Sequence, residues 1–218
     1  MGRGRPMLEH PFQTAVGFDL AAIFLFAITG ALAGVRKGYD LVGAAVLALV
    51  TALAGGLLRD ILLQRGTPVL LTDGRYLSAV LLGTAAVAVA RGHLHRLRLV
   101  ILLVDALGLG IYGVVGAQKA LAAGLPLTTA LLLGTINAVG GGLVRDLLTG
   151  EEPLIFKPGE WYALSSVAGC GAFLACVAGA HLDPRPAALV GIAVAFSTRL
   201  LSIRLGWRTG PLSVERDA

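Results

Sequence analysis

Two stretches of the sequence, ALAGGLLRDIL at residues 52–62 and AVGGGLVRDLL at residues 138–148, lie 86 positions apart and decide the fold. The same offset, without a gap, superimposes further glycine, acidic and aromatic residues: Asp19 on Asp105, Gly30 on Gly116, Gly38 on Gly124, Tyr76 on Tyr162 and Gly83 on Gly169. The composition of the chain explains matches between Ala or Leu residues, but it does not explain matches on Arg, Asp and Tyr. A fixed offset between such residues indicates an internal duplication.

The composition excludes a soluble protein. Of the 218 residues, 56% are hydrophobic and only 14% are charged, and the mean hydropathy is +0.81. A soluble domain usually carries about a quarter charged residues, so these charges are too few to cover a water-exposed surface. The 18 Lys and Arg residues give a net charge of +5, but they are scattered between apolar blocks and do not form the basic stripe of a nucleic-acid-binding protein. We therefore predict no nucleic-acid partner.

Seven apolar blocks are long enough, or nearly so, to cross a bilayer, which takes about 20 residues in a helix. Because the blocks are continuous and do not alternate, they predict helices and not the strands of a barrel. The blocks cover residues 16–34, 41–63, 76–91, 99–117, 126–148, 161–181 and 186–205.

Each copy of the duplication contains three of these blocks. Because three is an odd number, the second copy must enter the membrane from the opposite side, which makes an inverted repeat. The predicted fold class is an all-α integral membrane protein with seven transmembrane helices, in two inverted three-helix repeats and a seventh helix. The predicted segments are an N-terminal segment (1–15), the first repeat (16–91), the second repeat (99–181), the seventh helix (186–206) and a C-terminal tail (207–218).

The Lys and Arg residues between the blocks predict the orientation. Six lie on the side that holds the N-terminus and ten on the other, when Arg59 and Arg145 are left out because they lie inside blocks. By the positive-inside rule, the N-terminus is outside and the C-terminus is cytoplasmic.

Consecutive glycines in the second and fifth blocks weaken the helix, so a bend or an unwound turn is expected there. In one interpretation the freed carbonyls line a pore and meet a cation; in the other, the glycines allow close packing of helices. Asn137, one turn before the second glycine run, is a candidate for the pore wall. The glycines concerned are Gly55, Gly56, Gly140, Gly141 and Gly142.

An Arg-Asp pair follows each glycine run: Arg59 and Asp60 in the first copy, Arg145 and Asp146 in the second. Ionisable groups inside a membrane are costly unless they are paired or wet. Because adjacent helix positions point about 100° apart, we expect each of these side chains to find its partner on another element. They are predicted to form charged gates at two pore mouths, or else to snorkel to the interface and form a structural salt bridge.

Asp19 and Asp105 open the first and fourth blocks, where a carboxylate is stabilised by the helix macrodipole or attracts cations. Lys119 follows the fourth block, where it complements a helix C-terminus; its counterpart is Ala33, so its role is asymmetric. Three aromatic residues that start the third and sixth blocks are predicted to be interface anchors: Tyr76, Trp161 and Tyr162.

Enzyme signatures such as HExxH, GxSxG and the P-loop do not occur in the sequence. The two cysteines, Cys170 and Cys176, lie in one apolar block and suit neither a disulfide framework nor a metal site. We therefore predict no catalytic residue, no metal and no cofactor.

The pattern GGLLRD at residues 55–60 and GGLVRD at residues 141–146, each followed by a proline and an aromatic-led block, resembles the bacterial UPF0126 family. That family looks like the prokaryotic branch of the trimeric intracellular cation (TRIC) channels. The resemblance covers about residues 16–206. It implies a homotrimer with one pore inside each subunit, lined by the glycine-rich bends of the second and fifth helices, and conduction of K⁺ and Na⁺.

The sequence departs from the pattern of this family in two respects. Ala54 stands where the second copy has Gly140, and the Lys-Glu-Val motif of the animal channels is missing after the fourth helix, so lipid and calcium-counterion roles are not transferred. The family is also catalogued as glycine transporters. The leading hypothesis is a potassium-permeable channel of the bacterial inner membrane, surrounded by membrane lipids. The alternatives are a secondary transporter of glycine or another small zwitterion, and a membrane scaffold whose glycines serve only packing.

Overall fold

The computed structural model describes residues 14–64, 66–90, 97–157 and 161–207, and within these ranges the chain is helical with no strand. Residues 1–13 of the predicted N-terminal segment (1–15), residues 208–218 of the predicted tail (207–218), and Arg91 lie outside this part of the chain. The long helices are α1 (Thr14–Arg36), α2 (Leu41–Leu63), α3 (Gly74–Ala90), α4 (Leu97–Ala122), α5 (Leu127–Leu148), α6 (Tyr162–Leu174) and α7 (Pro184–Leu205). A single helical turn, Val69–Thr72, precedes α3, and α6 continues as a π-helix over Ala175–Gly179.

These seven helices correspond one by one to the seven predicted blocks. Six of them, counting α6 with its π-helical end, are long and apolar enough to cross a membrane. The remaining helix, α3, has 17 residues and is apolar. At a rise of about 1.5 Å per residue it spans about 25 Å, close to the lower limit for a hydrocarbon core of about 30 Å. The predicted all-α membrane architecture is confirmed.

The turns that join the first two helices of each repeat are built alike. Gly38 lies two residues after the end of α1 and Gly124 two residues after the end of α4. Each has a φ of +76°, a left-handed conformation that glycine adopts without strain. In both turns the amide of the next residue bonds back to a carbonyl five positions earlier: Tyr39 to Gly34 at 3.0 Å and Leu125 to Ala120 at 3.1 Å. This hydrogen bond is the mark of a Schellman motif, which stops a helix sharply.

The two repeats meet where α2 crosses α5, and the contacts show that these helices run antiparallel. A methyl group added to Gly55 would collide with the carbonyl oxygen of Asn137, and one added to Gly141 would lie 2.5 Å from the carbonyl oxygen of Thr51. As the residue number rises from 51 to 55 on α2, the contacting residue on α5 falls from 141 to 137. Antiparallel contact between equivalent helices is what an inverted repeat requires.

The axis that relates the repeats passes close to two aromatic rings. Phe26 and Tyr112 are 86 positions apart, and their rings stack with centroids 5.1 Å apart and planes 21° from parallel. Two equivalent residues can touch each other only near the axis that exchanges them. Both rings belong to one buried apolar cluster, which therefore lies at the junction of the two halves.

Candidate functional site: two buried ion-pair clusters

Four helices, α1 to α4, build the first cluster around the carboxylate of Asp19. Arg59 lies on α2 and Asp19 lies on α1. The Nη1 atom of Arg59 lies 3.3 Å from the carboxylate of Asp19, and its Nε atom lies 2.8 Å from the carboxylate of the neighbouring Asp60. The other oxygen of Asp19 accepts hydrogen bonds from Lys119 Nζ at 2.6 Å and from Tyr76 Oη at 2.9 Å. The side chains of Arg59 and Asp19 are each only 1% exposed, so two cations and one hydroxyl stabilise a carboxylate that water barely reaches.

The second cluster repeats this arrangement on α4 and α5. Arg145 contacts Asp105 through Nη1 at 2.7 Å, and it contacts its neighbour Asp146 through Nε at 3.0 Å and Nη2 at 2.9 Å. The side chains of Arg145 and Asp105 are each 5% exposed. The repeat therefore conserves the geometry of the arginine and both carboxylates.

The second oxygen of each neighbouring aspartate holds the chain that follows the helix. Asp60 accepts a hydrogen bond from the amide of Val69 at 3.3 Å, and Asp146 accepts one from the amide of Leu154 at 3.2 Å. Each Arg-Asp pair therefore links the end of a glycine-containing helix both to the first helix of its repeat and to the connection that follows.

The clusters differ in their tyrosine and in their second cation. Tyr162, the counterpart of Tyr76, packs its hydroxyl against Gly142, and that hydroxyl has no hydrogen-bond partner among the described residues. The place of Lys119 is taken by Ala33. On the second side the additional guanidinium comes from α7, where Arg199 lies 5.1 Å from the centre of the Tyr162 ring.

The two clusters also differ in the size of the cavities beside them. A cavity of about 360 Å³ beside the second cluster is lined by Ala33, Arg145 and Asp146, and an adjoining cavity of about 130 Å³ reaches Asp105 and Arg199. Among the described residues, a cavity beside the first cluster measures about 10 Å³, barely the space that one water needs (about 10–15 Å³). We call the two cavities at the second cluster the vestibule.

Glu151 links two connections at the rim of the vestibule. It accepts contacts from Lys37 Nζ at 2.6 Å and Arg36 Nη2 at 3.4 Å, so that the α5–α6 connection meets the end of α1. The hydrogen bond from Lys37 holds the pKa of Glu151 below its ordinary value.

The structure corrects the sequence-based expectation for Asp19 and Asp105. Helix α1 begins at Thr14 and α4 at Leu97, so neither aspartate lies in a first turn and the interpretation through the helix macrodipole is wrong. The predicted blocks begin at residues 16 and 99, before these aspartates, and each helix begins two residues earlier still.

Two expectations about pairing are also corrected. Arg59 and Arg145 do find partners on other helices, as predicted, but each also contacts the aspartate next to it. The long arginine side chain reaches back across the 100° between neighbouring positions. Because these arginines are buried inside the protein, the alternative of snorkelling to the interface is wrong for them.

Tyr76 and Tyr162 are not interface anchors. Each is 3% exposed and lies at a cluster. The offset of 86 that pairs these tyrosines with each other and with the Arg-Asp motifs is the signal that could have placed them in the site. Trp161 is half-buried, and its ring lies 4.8 Å from that of Trp207 at the end of α7.

The glycines are placed at the crossing of α2 and α5, and the helices continue through them. The α-helix is unbroken over residues 55–56 and 140–142, so the expected unwound turn is wrong, while a bend remains a prediction. Asn137 is fully buried at the same crossing, where its Nδ2 donates to the carbonyl of Tyr112 at 2.6 Å. The Tyr112 hydroxyl in turn donates to the carbonyl of Ala52 at 2.5 Å.

Comparison with known protein families identifies relatives of this chain. A family model described as "Glycine transporter" matches residues 16–91 and 102–178, two segments that begin 86 positions apart. The UPF0126 membrane protein of Deinococcus radiodurans is 40% identical over 156 residues, which are 71% of this chain and 72% of that protein. The UPF0126 inner membrane protein YadS of Escherichia coli K12 is 30% identical over 187 residues, 85% of this chain and 90% of that protein.

Solved structures show the same fold. The chain is similar to the TRIC trimeric intracellular cation channel orthologue from Rhodobacter sphaeroides, with a TM-score of 0.82, 32% identity and coverage of 90% of this chain and 100% of the other. A second structure, described as the structural basis for conductance through TRIC cation channels, has a TM-score of 0.78 and 31% identity, and covers 92% of this chain and 98% of its own. The matched structures are those of channels and not of enzymes.

Proposed function

The chain belongs to the UPF0126 family of multi-pass membrane proteins, and from this premise we propose that it is a cation channel of the bacterial inner membrane. The permeant ions are K⁺ and Na⁺, and each subunit of a homotrimer holds one pore. The observation that carries the proposal is the pair of buried ion-pair clusters at equivalent positions of α2 and α5. Ionisable residues within membrane-spanning helices characteristically mark ion pathways.

In this proposal the pore follows α2 and α5, and the structure represents its closed form. A cation enters the vestibule, where Asp146 attracts it and Arg145 limits its passage. Asp60 and Arg59 have the same roles at the other mouth, which the contact between Lys119 and Asp19 seals. Opening requires Lys119 to leave Asp19 and the glycine-lined crossing of α2 and α5 to loosen, through a bend at these glycines.

The experiment measures ion flux and glycine uptake by the same preparation. Purified protein in liposomes with a potassium gradient is expected to give electrogenic, non-saturating potassium flux and single-channel steps in planar bilayers. Arg145→Ala is expected to change the open probability or the conductance without dissolving the trimer, because the mouth loses its charged constriction. Arg204→Ala is the control, since Arg204 is an exposed residue of α7. Single-channel currents of Arg145→Ala identical to those of the wild type would contradict the role of Arg145.

A secondary transporter of glycine or another small zwitterion is the second candidate. The observation that favours it, besides the description of the family model, is the inner cavity of about 130 Å³, where Asp105 and Arg199 offer opposite charges to an ammonium and a carboxylate. Saturable glycine uptake without ion conduction would establish this candidate. If neither ions nor glycine crossed the membrane, the remaining alternative would be a membrane scaffold.

A further inference from the structure

Two buried oxygen atoms at the crossing of α2 and α5 have no hydrogen-bond partner in the described part of the protein: Thr51 Oγ1 and Asn137 Oδ1. Both residues are 0% exposed. They are also equivalent, because they lie 86 positions apart in the two repeats. A buried polar atom without a partner is rare in proteins and calls for an explanation, such as a water or an ion that binds there.

The unpaired state of Thr51 is not a property of threonine in these helices. Thr29, Thr84 and Thr135 each donate a hydrogen bond to a carbonyl of their own helix, at 2.9 Å in all three cases. Such local bonds are the usual solution for a helical threonine. Thr51 does not make this bond, although it is as deeply buried as Thr29.

The orientation of the Asn137 amide follows from its one hydrogen bond. Its nitrogen lies 2.6 Å from the carbonyl oxygen of Tyr112, which can only accept, so the nitrogen must face Tyr112. The amide oxygen therefore points elsewhere. The Cβ atom of Asn137 packs against Gly116 and the hydroxyl of Thr51 packs against Gly30, which are again equivalent glycines.

The two oxygens lie between the charged clusters. Thr51 precedes Arg59 by eight residues and Asn137 precedes Arg145 by eight, which is about 12 Å along a helix. Because α2 and α5 are antiparallel, the two arginines lie on opposite sides of the crossing. A path from one cluster to the other along α2 and α5 therefore runs past the levels of Thr51 and Asn137.

Building on the proposed channel, we infer that Thr51 Oγ1 and Asn137 Oδ1 contact a partly dehydrated monovalent cation at the midpoint of the pore and set its selectivity between K⁺ and Na⁺. Selective filters replace water with neutral oxygens of the protein. A divalent cation prefers carboxylates, and the carboxylates nearest in sequence on these helices, Asp60 and Asp146, are bound to arginines.

The test is Thr51→Val, which exchanges the hydroxyl for a methyl group of similar size and removes no hydrogen bond seen in the described structure. The readout is the K⁺/Na⁺ permeability ratio, from reversal potentials of the purified protein in planar bilayers with KCl and NaCl on opposite sides. We expect the ratio to change by roughly threefold to tenfold, the size implied by the net loss of one hydrogen-bond-like contact. Thr51→Ser, which keeps the oxygen, is expected to retain the wild-type ratio.

Thr29→Val is the matched control, because it also replaces a fully buried threonine but removes a hydroxyl that already has a partner. It is expected to leave the ratio unchanged. Equal ratios for Thr51→Val and the wild type would overturn the inference and leave the channel intact, whereas a wild-type protein without current would overturn both. If Thr51→Val does not assemble, the smaller replacement Thr51→Ala decides: we expect a similar change of the K⁺/Na⁺ ratio, and an unchanged ratio would overturn the inference.

Discussion

Asp19 receives donors from Arg59, Tyr76 and Lys119, whereas the equivalent Asp105 contacts Arg145 beside a vestibule. Two donors are additional on the first side, Tyr76 and Lys119. The tyrosine is present in both repeats, but the counterpart of the lysine is Ala33, which lines the vestibule. A lysine side chain at that place both fills space and supplies a positive charge. At the scale of single residues, one substitution between the repeats therefore accompanies the difference between a sealed side and an open side.

Lys119→Ala is expected to enlarge the cavity beside Asp19 and to raise the open probability, because the first side then resembles the second. Single-channel recording checks this outcome, with Lys119→Arg as the control that keeps the positive charge. The converse change, Ala33→Lys, is expected to reduce the current by filling the vestibule. An open probability unchanged in Lys119→Ala would refute the assignment of Lys119 as the seal.

At the scale of helices, the crossing of α2 and α5 depends on backbone-to-backbone contact. Gly55 lies against the carbonyl of Asn137 and Gly141 against that of Thr51. Small residues at helix crossings allow the close approach that stabilises membrane proteins. The same glycines keep the crossing compact in this conformation, so packing and the proposed gating share one set of residues.

Gly55→Ala is expected to lower the thermal stability of the detergent-solubilised protein, because the added methyl group forces the helices apart, at a cost of about 1–3 kcal/mol. Gly171→Ala on α6 is the control, since its added methyl group meets no atom within 4 Å. Gain of helix propensity stabilises that control by up to about 1 kcal/mol. Equal melting temperatures for the two variants would show that the crossing is not tightly packed.

The helices were predictable because lipid demands continuous apolar runs, and the predicted block 41–63 coincides with α2. Helix α4 runs past its predicted end at residue 117 to Ala122, because Gln118 is buried and Lys119, which is partly exposed, is paired with Asp19. A hydropathy pattern ends an apolar block at any polar residue, because it does not register whether the folded protein surrounds that residue. Sequence therefore predicts which segments are helices better than it predicts where a helix with a polar, buried end stops.

The site was predictable only in part, because its residues meet through the tertiary fold. The duplication singled out the arginines and aspartates, and the expectation that Arg59 contacts another element was right. Sequence does not show that Tyr76 turns inward to Asp19 or that Thr51 lacks a partner. The vestibule was also beyond prediction, since it depends on how side chains of several helices fill a common space.

At the scale of the whole molecule, the vestibule lies on the side of the α1–α2 and α5–α6 connections, which the distribution of Lys and Arg predicts to be cytoplasmic. Glu152 and Asp183 are exposed residues of connections on opposite sides of the predicted membrane. Together they offer a direct measure of orientation.

Cysteine labelling in cells checks this orientation, in a background where Cys170 and Cys176 are replaced by Ala. A membrane-impermeant thiol reagent added to intact spheroplasts is expected to label Asp183→Cys but not Glu152→Cys. In inverted membrane vesicles the pattern is expected to reverse. Labelling of Glu152→Cys from outside would mean that the vestibule opens away from the cytoplasm.

Phe26 and Tyr112, which stack on each other, are equivalent positions of the two repeats but are different residues, and this is possible because one gene encodes both repeats separately. In a dimer of two identical half-length proteins, every mutation would appear twice, so a lysine that sealed one end would seal the other. In a single polypeptide, one codon can change one end and leave its twin as it was. Only near the axis, where Phe26 meets Tyr112, does each residue remain tied to its counterpart. A single gene that encodes both repeats therefore allows the two ends of a nearly symmetric protein to differ.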